Sequence, residues 1–301
     1  MRKTIVVAVA LCALALVPAA TAKTVNVDLS KLGFVPSSAT IQLGDMVTWT
    51  NKDTADHQVV CQTCPFTSPV LKPGEMYSYT FAKLGKFTTV DPLNKNKKGT
   101  VTVTAPTPTL TLSATPASVI YGGLTTIAGT LSTQQAGEKI EILAQPCNQN
   151  TAKVVASVTT TAGGAFSYQA RPTMNTIYQA RYKPKAAPSI LSPSTTVKVR
   201  PKLRLAKLAR GKFSIRLAAA DSFVGKVVVF QRYNAARSKW VTIKNVTLRT
   251  ATATTLPLPG TTVSSTTFRV KIKLHVRVRA VLPPAQAAPC YIAARSNVIF
   301  S

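Results

Sequence analysis

The sequence predicts an all-β chain of three sandwiches in a row. Gly and Pro punctuate short runs rich in Val, Thr, Ile and Phe, and beyond the first 22 residues no window sustains apolar residues at a helical period. A length of 301 residues suits two or three such units better than one.

The amino-terminal element is expected to be a secretory leader, residues 1–22. Arg2 and Lys3 precede an apolar run from Ile5 to Val17, and small residues follow to Ala20-Thr21-Ala22. The mature chain then begins at Lys23, with an uncleaved anchor as the alternative. No later stretch approaches about 18 uninterrupted apolar residues, so no transmembrane anchor is expected after cleavage. Four cysteines remain once Cys12 is removed with the leader. In an oxidising compartment an even count suggests bridges, and the preferred pairing is Cys61 with Cys64 and Cys147 with Cys290. Whether Cys147 and Cys290 bridge two domains, pair with another chain or stay free is left open.

The next element spans residues 23–105 and ends at Ala105-Pro106-Thr107-Pro108, where two prolines forbid continuation of a central strand. Val47 and Trp49 alternate with polar neighbours, Val101 and Val103 repeat that alternation, and Pro73-Gly74 suits a turn. The order of residues is specific. Gly33-Phe34-Val35-Pro36 is followed by Gly44-Asp45-Met46-Val47-Thr48-Trp49-Thr50-Asn51 and His57-Gln58-Val59. Leu71-Lys72-Pro73-Gly74-Glu75, Tyr79-Thr80-Phe81, Gly85-Lys86-Phe87 and Gly99-Thr100-Val101 come after. This succession resembles a plastocyanin-type cupredoxin over nearly all of residues 24–104.

The resemblance implies a type 1 copper site, which needs two imidazoles and a thiolate in a plane with a weak axial thioether. The first imidazole falls on His57. Counted forward from Gly85, the thiolate position is Asp91, the second imidazole Asn94 and the thioether Lys97. Oxygen donors and an ammonium thus stand where sulfur and imidazole are required, and Lys95 and Lys98 add further positive charge. A blue-copper electron carrier is not expected, and no cofactor is assigned. The alternative is copper capture or electron transfer by His57 with Cys61 and Cys64, a partial set suited to Cu(I) or zinc. A local disulfide is the competing reading of that pair, and a redox couple is a third, although no thioredoxin-like βαβ pattern surrounds it.

The third and fourth elements, residues 106–200 and 201–301, meet near Arg200-Pro201 and read as copies of one another. Gly137-Glu138-Lys139-Ile140-Glu141-Ile142 returns loosely as Gly225-Lys226-Val227-Val228-Val229, and Ala186-Ala187-Pro188-Ser189 as Ala287-Ala288-Pro289-Cys290. These units resemble bacterial immunoglobulin-like repeats, which implies a sandwich and little about ligands. Thr160-Thr161-Ala162-Gly163-Gly164-Ala165-Phe166-Ser167-Tyr168 reads as a hairpin.

Charge is uneven. The chain carries +28, and residues 200–301 hold 19 Lys and Arg against Asp221 alone. Such a field attracts polyanions without reading any sequence, so anionic envelope polymers are the expected partners and no specific nucleic acid is implied; a merely solvated cationic surface is the bland reading. Arg269, Lys271, Lys273, His275, Arg277 and Arg279 alternate with apolar residues, as a strand with one cationic face requires. They read either as a polyanion ladder or as the wet face of a half-buried strand that guards an edge.

No hydrolytic serine elbow or phosphate-cradling loop occurs. Two acid pairs lie close in sequence, Asp53 with Asp56 and Glu138 with Glu141, and neither makes a convincing acid–base couple. The expected function is therefore that of a secreted, non-catalytic binding or structural protein, extracellular or wall-associated.

Overall fold

The computed structural model describes residues 22–185 and 188–301. The leader, apart from Ala22, lies outside the described residues, and so do Ala186 and Ala187 of the second repeat motif. Among the described residues the chain is β throughout, except for a 3-10 turn at Ala162–Gly164 and one helical turn at Pro284–Ala287. It divides into two compact units, one ending at Thr107 and the other running from Pro108 to Ser301.

The first unit is a sandwich of eight strands: β1 (Thr24–Ser30), β2 (Gly33–Val35), β3 (Ser38–Gln42), β4 (Met46–Asn51), β5 (Val60–Cys61), β6 (Met76–Thr80), β7 (Gly85–Asp91) and β8 (Lys97–Thr104). One sheet has the order β2-β1-β4-β6 and the other β3-β8-β7-β5, with β1 parallel to β4 and β3 parallel to β8. Period two explains the packing. Val47 and Trp49 of β4 and Val101 and Val103 of β8 turn inward, where they meet Val27, Ile41 and Phe87. The Trp49 ring lies tilted 5.5 Å from Phe66 and 6.5 Å from Phe81, and Phe66 lies 4.3 Å from Tyr79, so aromatic rings fill much of the space between the sheets. Gly99 is required by contact, because a Cβ there would lie 2.8 Å from the Phe34 ring.

The second unit contains two sandwiches. In the first, a sheet built on Lys139–Pro146 and Thr176–Tyr182 faces Ser113–Thr115, Thr125–Thr130 and Ala165–Ala170. In the second, a sheet ordered Lys202–Ala209, Lys212–Ala219, Thr261–Arg269, Thr250–Thr254 faces one built on Val227–Asn234 and Arg277–Leu282. The sequence repeat has a structural counterpart. Gly137 and Gly225 both adopt φ 84° and introduce the equivalent central strands, donating to Thr160 and Leu248 carbonyls. A second correspondence escaped the sequence: the Ser192 hydroxyl accepts from the Ala180 amide, and the Ser296 hydroxyl accepts from the Ala280 amide, each at 2.9 Å.

Two sequence expectations are corrected here. Residues 160–168 do not form a hairpin, because Lys153–Thr159 pairs with Lys139–Pro146 while Ala165–Ala170 pairs with Thr125–Thr130 in the opposite sheet. The glycines serve a crossing between sheets: Gly164 packs so close to the Leu131 carbonyl that a Cβ would sit 2.2 Å from it. The alternating segment 269–279 is likewise not one strand. One strand ends at Arg269 and another begins at Arg277 in the other sheet, with His275 at φ 57° in the turn between. Ser301 fills that corner, its hydroxyl donating to the Lys273 carbonyl at 2.6 Å and accepting from the Val276 amide at 3.1 Å.

The two sandwiches of the second unit are joined covalently and by hydrogen bonds. Cys147 and Cys290 form a disulfide with a Cα separation of 5.3 Å. Beside it the Asn175 amide donates to the Pro289 carbonyl at 3.1 Å and its oxygen accepts from the Val199 amide at 2.8 Å. Tyr121 and Thr261 hydroxyls meet at 3.1 Å. A bridge across 143 residues removes substantial loop entropy from the unfolded chain. Cys147→Ser/Cys290→Ser is therefore expected to lower the stability of the second unit by about 2–4 kcal/mol. The measurement is denaturant unfolding followed at Trp240, with Trp49 reporting an unchanged first unit.

Candidate metal centre

The first unit brings the loop after β4 against the hairpin joining β7 to β8. His57 is fixed by reciprocal backbone bonds with Leu71, at 3.1 and 2.7 Å. The Asn51 side chain shapes the approach to it, donating to the Ala55 and Leu71 carbonyls at 2.7 and 2.8 Å and accepting from the Asp53 amide at 2.9 Å. Asp91 ends β7, directly opposite Lys97 in the hairpin register, and the turn between them places Lys95 and Asn96 at positive φ.

His57 is 2% exposed and meets a carboxylate oxygen at each ring nitrogen. Its Nδ1 bonds to Oδ2 of Asp91, and its Nε2 lies 3.3 Å from Oδ2 of Asp53. Asp91 is 1% exposed, and its other oxygen accepts from the Gln58 and Leu93 amides at 3.2 and 3.1 Å. A buried carboxylate is tolerated when hydrogen bonds satisfy it, and here three donors do. The Asp53 carboxyl is held below the usual carboxylate range, chiefly by the Thr54 amide and also by His57.

Asn94 and Lys97 do not converge on His57 as ligands. The Asn94 amide donates to the Ser30 carbonyl at 2.9 Å, tying the hairpin to the end of β1, and Lys97 is an exposed cation whose Cβ packs on Gly33. Type 1 copper requires soft sulfur and imidazole around one point. The side chains present do not fit it: the imidazole is engaged by Asp91, the amide by backbone, and the third position is an ammonium.

In the structure Cys61 and Cys64 are joined in a disulfide, a form in which the pair has no thiolate to add to His57. Cys61 lies buried on β5, paired with Thr89 of β7. Among the described residues no group of three His, Cys, Asp or Glu side chains is gathered for a metal ion. Glu138 and Glu141 have different partners: Glu138 accepts from the Tyr182 hydroxyl at 2.9 Å, whereas Glu141 pairs with Arg181 and Lys183.

The cations of the carboxy-terminal segment are dispersed. Arg269 closes one strand, and Lys271 and Lys273 lie in irregular chain. Arg277 lies 4.0 Å over the Tyr233 ring, and Arg279 lies 4.1 Å over Trp240 while donating to Gln231 at 2.9 Å. The sequence did not disclose the bond between His57 and Asp91, although the substitution of a carboxylate at a thiolate position facing an imidazole was the clue.

Residues 3–103 match the family model described as a cupredoxin-like domain. A purple cupredoxin from Nitrosopumilus maritimus is 22% identical, the match covering 26% of this chain and 98% of that one with a TM-score of 0.25. A copper-containing nitrite reductase from Thermus scotoductus is 29% identical over 33% of this chain and 25% of its own, TM-score 0.26. A reduced amicyanin variant is 26% identical over 28% and 83%, TM-score 0.25. The first unit is thus cupredoxin-like; residues 108–301 lie outside the family match.

Removing the Asp91 carboxylate leaves His57 Nδ1 and two amides without an acceptor, so Asp91→Ala is expected to cost about 3 kcal/mol in unfolding followed at Trp49. The triple substitution Asp91→Cys/Asn94→His/Lys97→Met is expected to give an intense visible band with Cu(II) that the parent chain lacks. The lowered Asp53 value contributes stability above its unfolded pKa, and that contribution is lost as pH falls through the folded value. Asp53→Asn should accordingly flatten the acid limb of stability against pH, read from Trp49 fluorescence.

Proposed function

We propose that the chain is an exported, non-catalytic binding or structural protein of the cell envelope, in which a cupredoxin-like domain without electron-transfer copper accompanies a basic carboxy-terminal sandwich that associates with anionic polymers. The observation that carries this reading is the unbalanced charge of residues 200–301. Nineteen cations face one acid, and that acid, Asp221, is engaged by the Tyr291 hydroxyl at 3.1 Å. Among the described residues no ion pair involves a residue beyond Lys183. Cations without internal partners stay available to external anions.

Association of this kind weakens with ionic strength, because the Debye length falls to about 3 Å at 1 M salt. The full exported chain should be retained on isolated anionic cell-wall material at low salt and released progressively as salt rises. Salt-insensitive retention, or none, would overturn the reading. Anaerobic Cu(I) titration of the reduced chain against Cys61→Ser/Cys64→Ser tests copper capture: stoichiometric binding lost in the variant would assign the first domain to metal handling instead.

A further inference from the structure

The basic sandwich carries a groove of about 940 Å³ on the outer face of the sheet that begins with Lys202–Ala209 and Lys212–Ala219. Leu203, Leu205, Ile215 and Leu217 turn inward, so Lys202, Arg204, Ser214 and Arg216 share the outer face and line the groove. Arg204 and Arg216 are direct cross-strand partners. Like charges in that position are destabilising, and no acid lines the groove to relieve them. An external anion seated between the guanidinium groups would relieve that repulsion.

We infer that this groove, rather than the dispersed cations at 269–279, binds a single chain of a linear glycan bearing oxyanions, carboxylate or phosphate, along its length. The inference rests on the polyanion-binding reading above and places it at one site. Three features select the partner. Guanidinium forks match carboxylate and phosphate oxygens bidentately. The floor is made of small residues, Ala206, Ser214 and Ala218, so a chain can lie close to the sheet, while exposed Leu256 with Pro257 forms an apolar wall suited to the carbon-bound face of a sugar ring. No aromatic side chain lines the groove, which removes the stacking platform that single-stranded nucleic acid uses.

An extended peptide is excluded for a different reason. Lys202–Ala209 is the edge strand of its sheet, and the Asn297 side chain occupies that edge, accepting from the Leu205 amide at 3.1 Å and donating to the Leu205 carbonyl at 3.0 Å. Strand addition therefore has no free ladder at this point.

Calorimetric titration of the full exported chain with a short oligo-uronate, a phosphorylated mannan fragment and single-stranded poly-dT tests the site. The parent chain is compared with Arg204→Ser/Arg216→Ser, with Ala206→Trp, which fills the groove without changing charge, and with Arg277→Ser/Arg279→Ser, which removes the same charge elsewhere. Both groove variants should weaken glycan binding about tenfold or more, and the distal pair should change it by less than about threefold. The uronate and mannan arms identify the oxyanion. Equal losses in the two arginine pairs, no effect of Ala206→Trp, or tighter binding of poly-dT than of either glycan would overturn the groove assignment while leaving polyanion binding intact. Failure of the parent chain to bind any of the three would overturn the functional reading as well. Tryptophan fluorescence unfolding of each variant distinguishes a lost site from a lost fold.

Discussion

The bond between His57 and Asp91 organises one end of the first domain. In a copper site the loop that closes the sandwich is held by the metal to an imidazole on the neighbouring loop. Here a hydrogen bond between His57 Nδ1 and the Asp91 carboxylate joins the same two segments. Asp91 gathers the Gln58 and Leu93 amides as well, and Asn94 anchors the hairpin to the end of β1. The loop is thus fixed by ordinary hydrogen bonds, and the disulfide between Cys61 and Cys64 stiffens the segment beside it. The core of the domain is filled by Trp49 and its aromatic neighbours, while this polar end is held by hydrogen bonds.

The second unit follows the opposite electrostatic logic. Its first sandwich gives both of its acids internal partners, Glu141 the cations Arg181 and Lys183 and Glu138 the Tyr182 hydroxyl. Its second sandwich leaves cations unpaired and spends aromatic faces on two of them, Arg277 on Tyr233 and Arg279 on Trp240. Stacked guanidinium groups keep their charge while shedding part of their hydration, so the positive field persists beside a well-packed sheet.

Much of this was legible in the sequence where the physics is local. Alternation at Val47 and Trp49, or at Val101 and Val103, names a strand and its inner face without reference to anything distant. The ligand positions were legible because the resemblance fixes their count from Gly85, and both disulfides agree with the preferred pairing. The rest depends on which strands become neighbours. Period two in residues 269–279 does not say that the chain leaves one sheet at Arg269 and enters the other at Arg277. Two glycines at 163 and 164 suit a hairpin and a crossing between sheets equally. Arg204 and Arg216 are unremarkable in sequence, and only their cross-strand register turns them into a paired cationic feature.

The disulfide between Cys147 and Cys290 has a mechanical consequence. It encloses residues 148–289 in a covalent loop, so tension applied between the two ends of the chain passes through the sulfur–sulfur bond and bypasses everything within. The strands that carry the cationic groove lie inside that loop. Extension of the chain outside the loop therefore leaves the register of Arg204 with Arg216 free of load, whereas Asn297, which holds the edge at Leu205, lies outside the bridge.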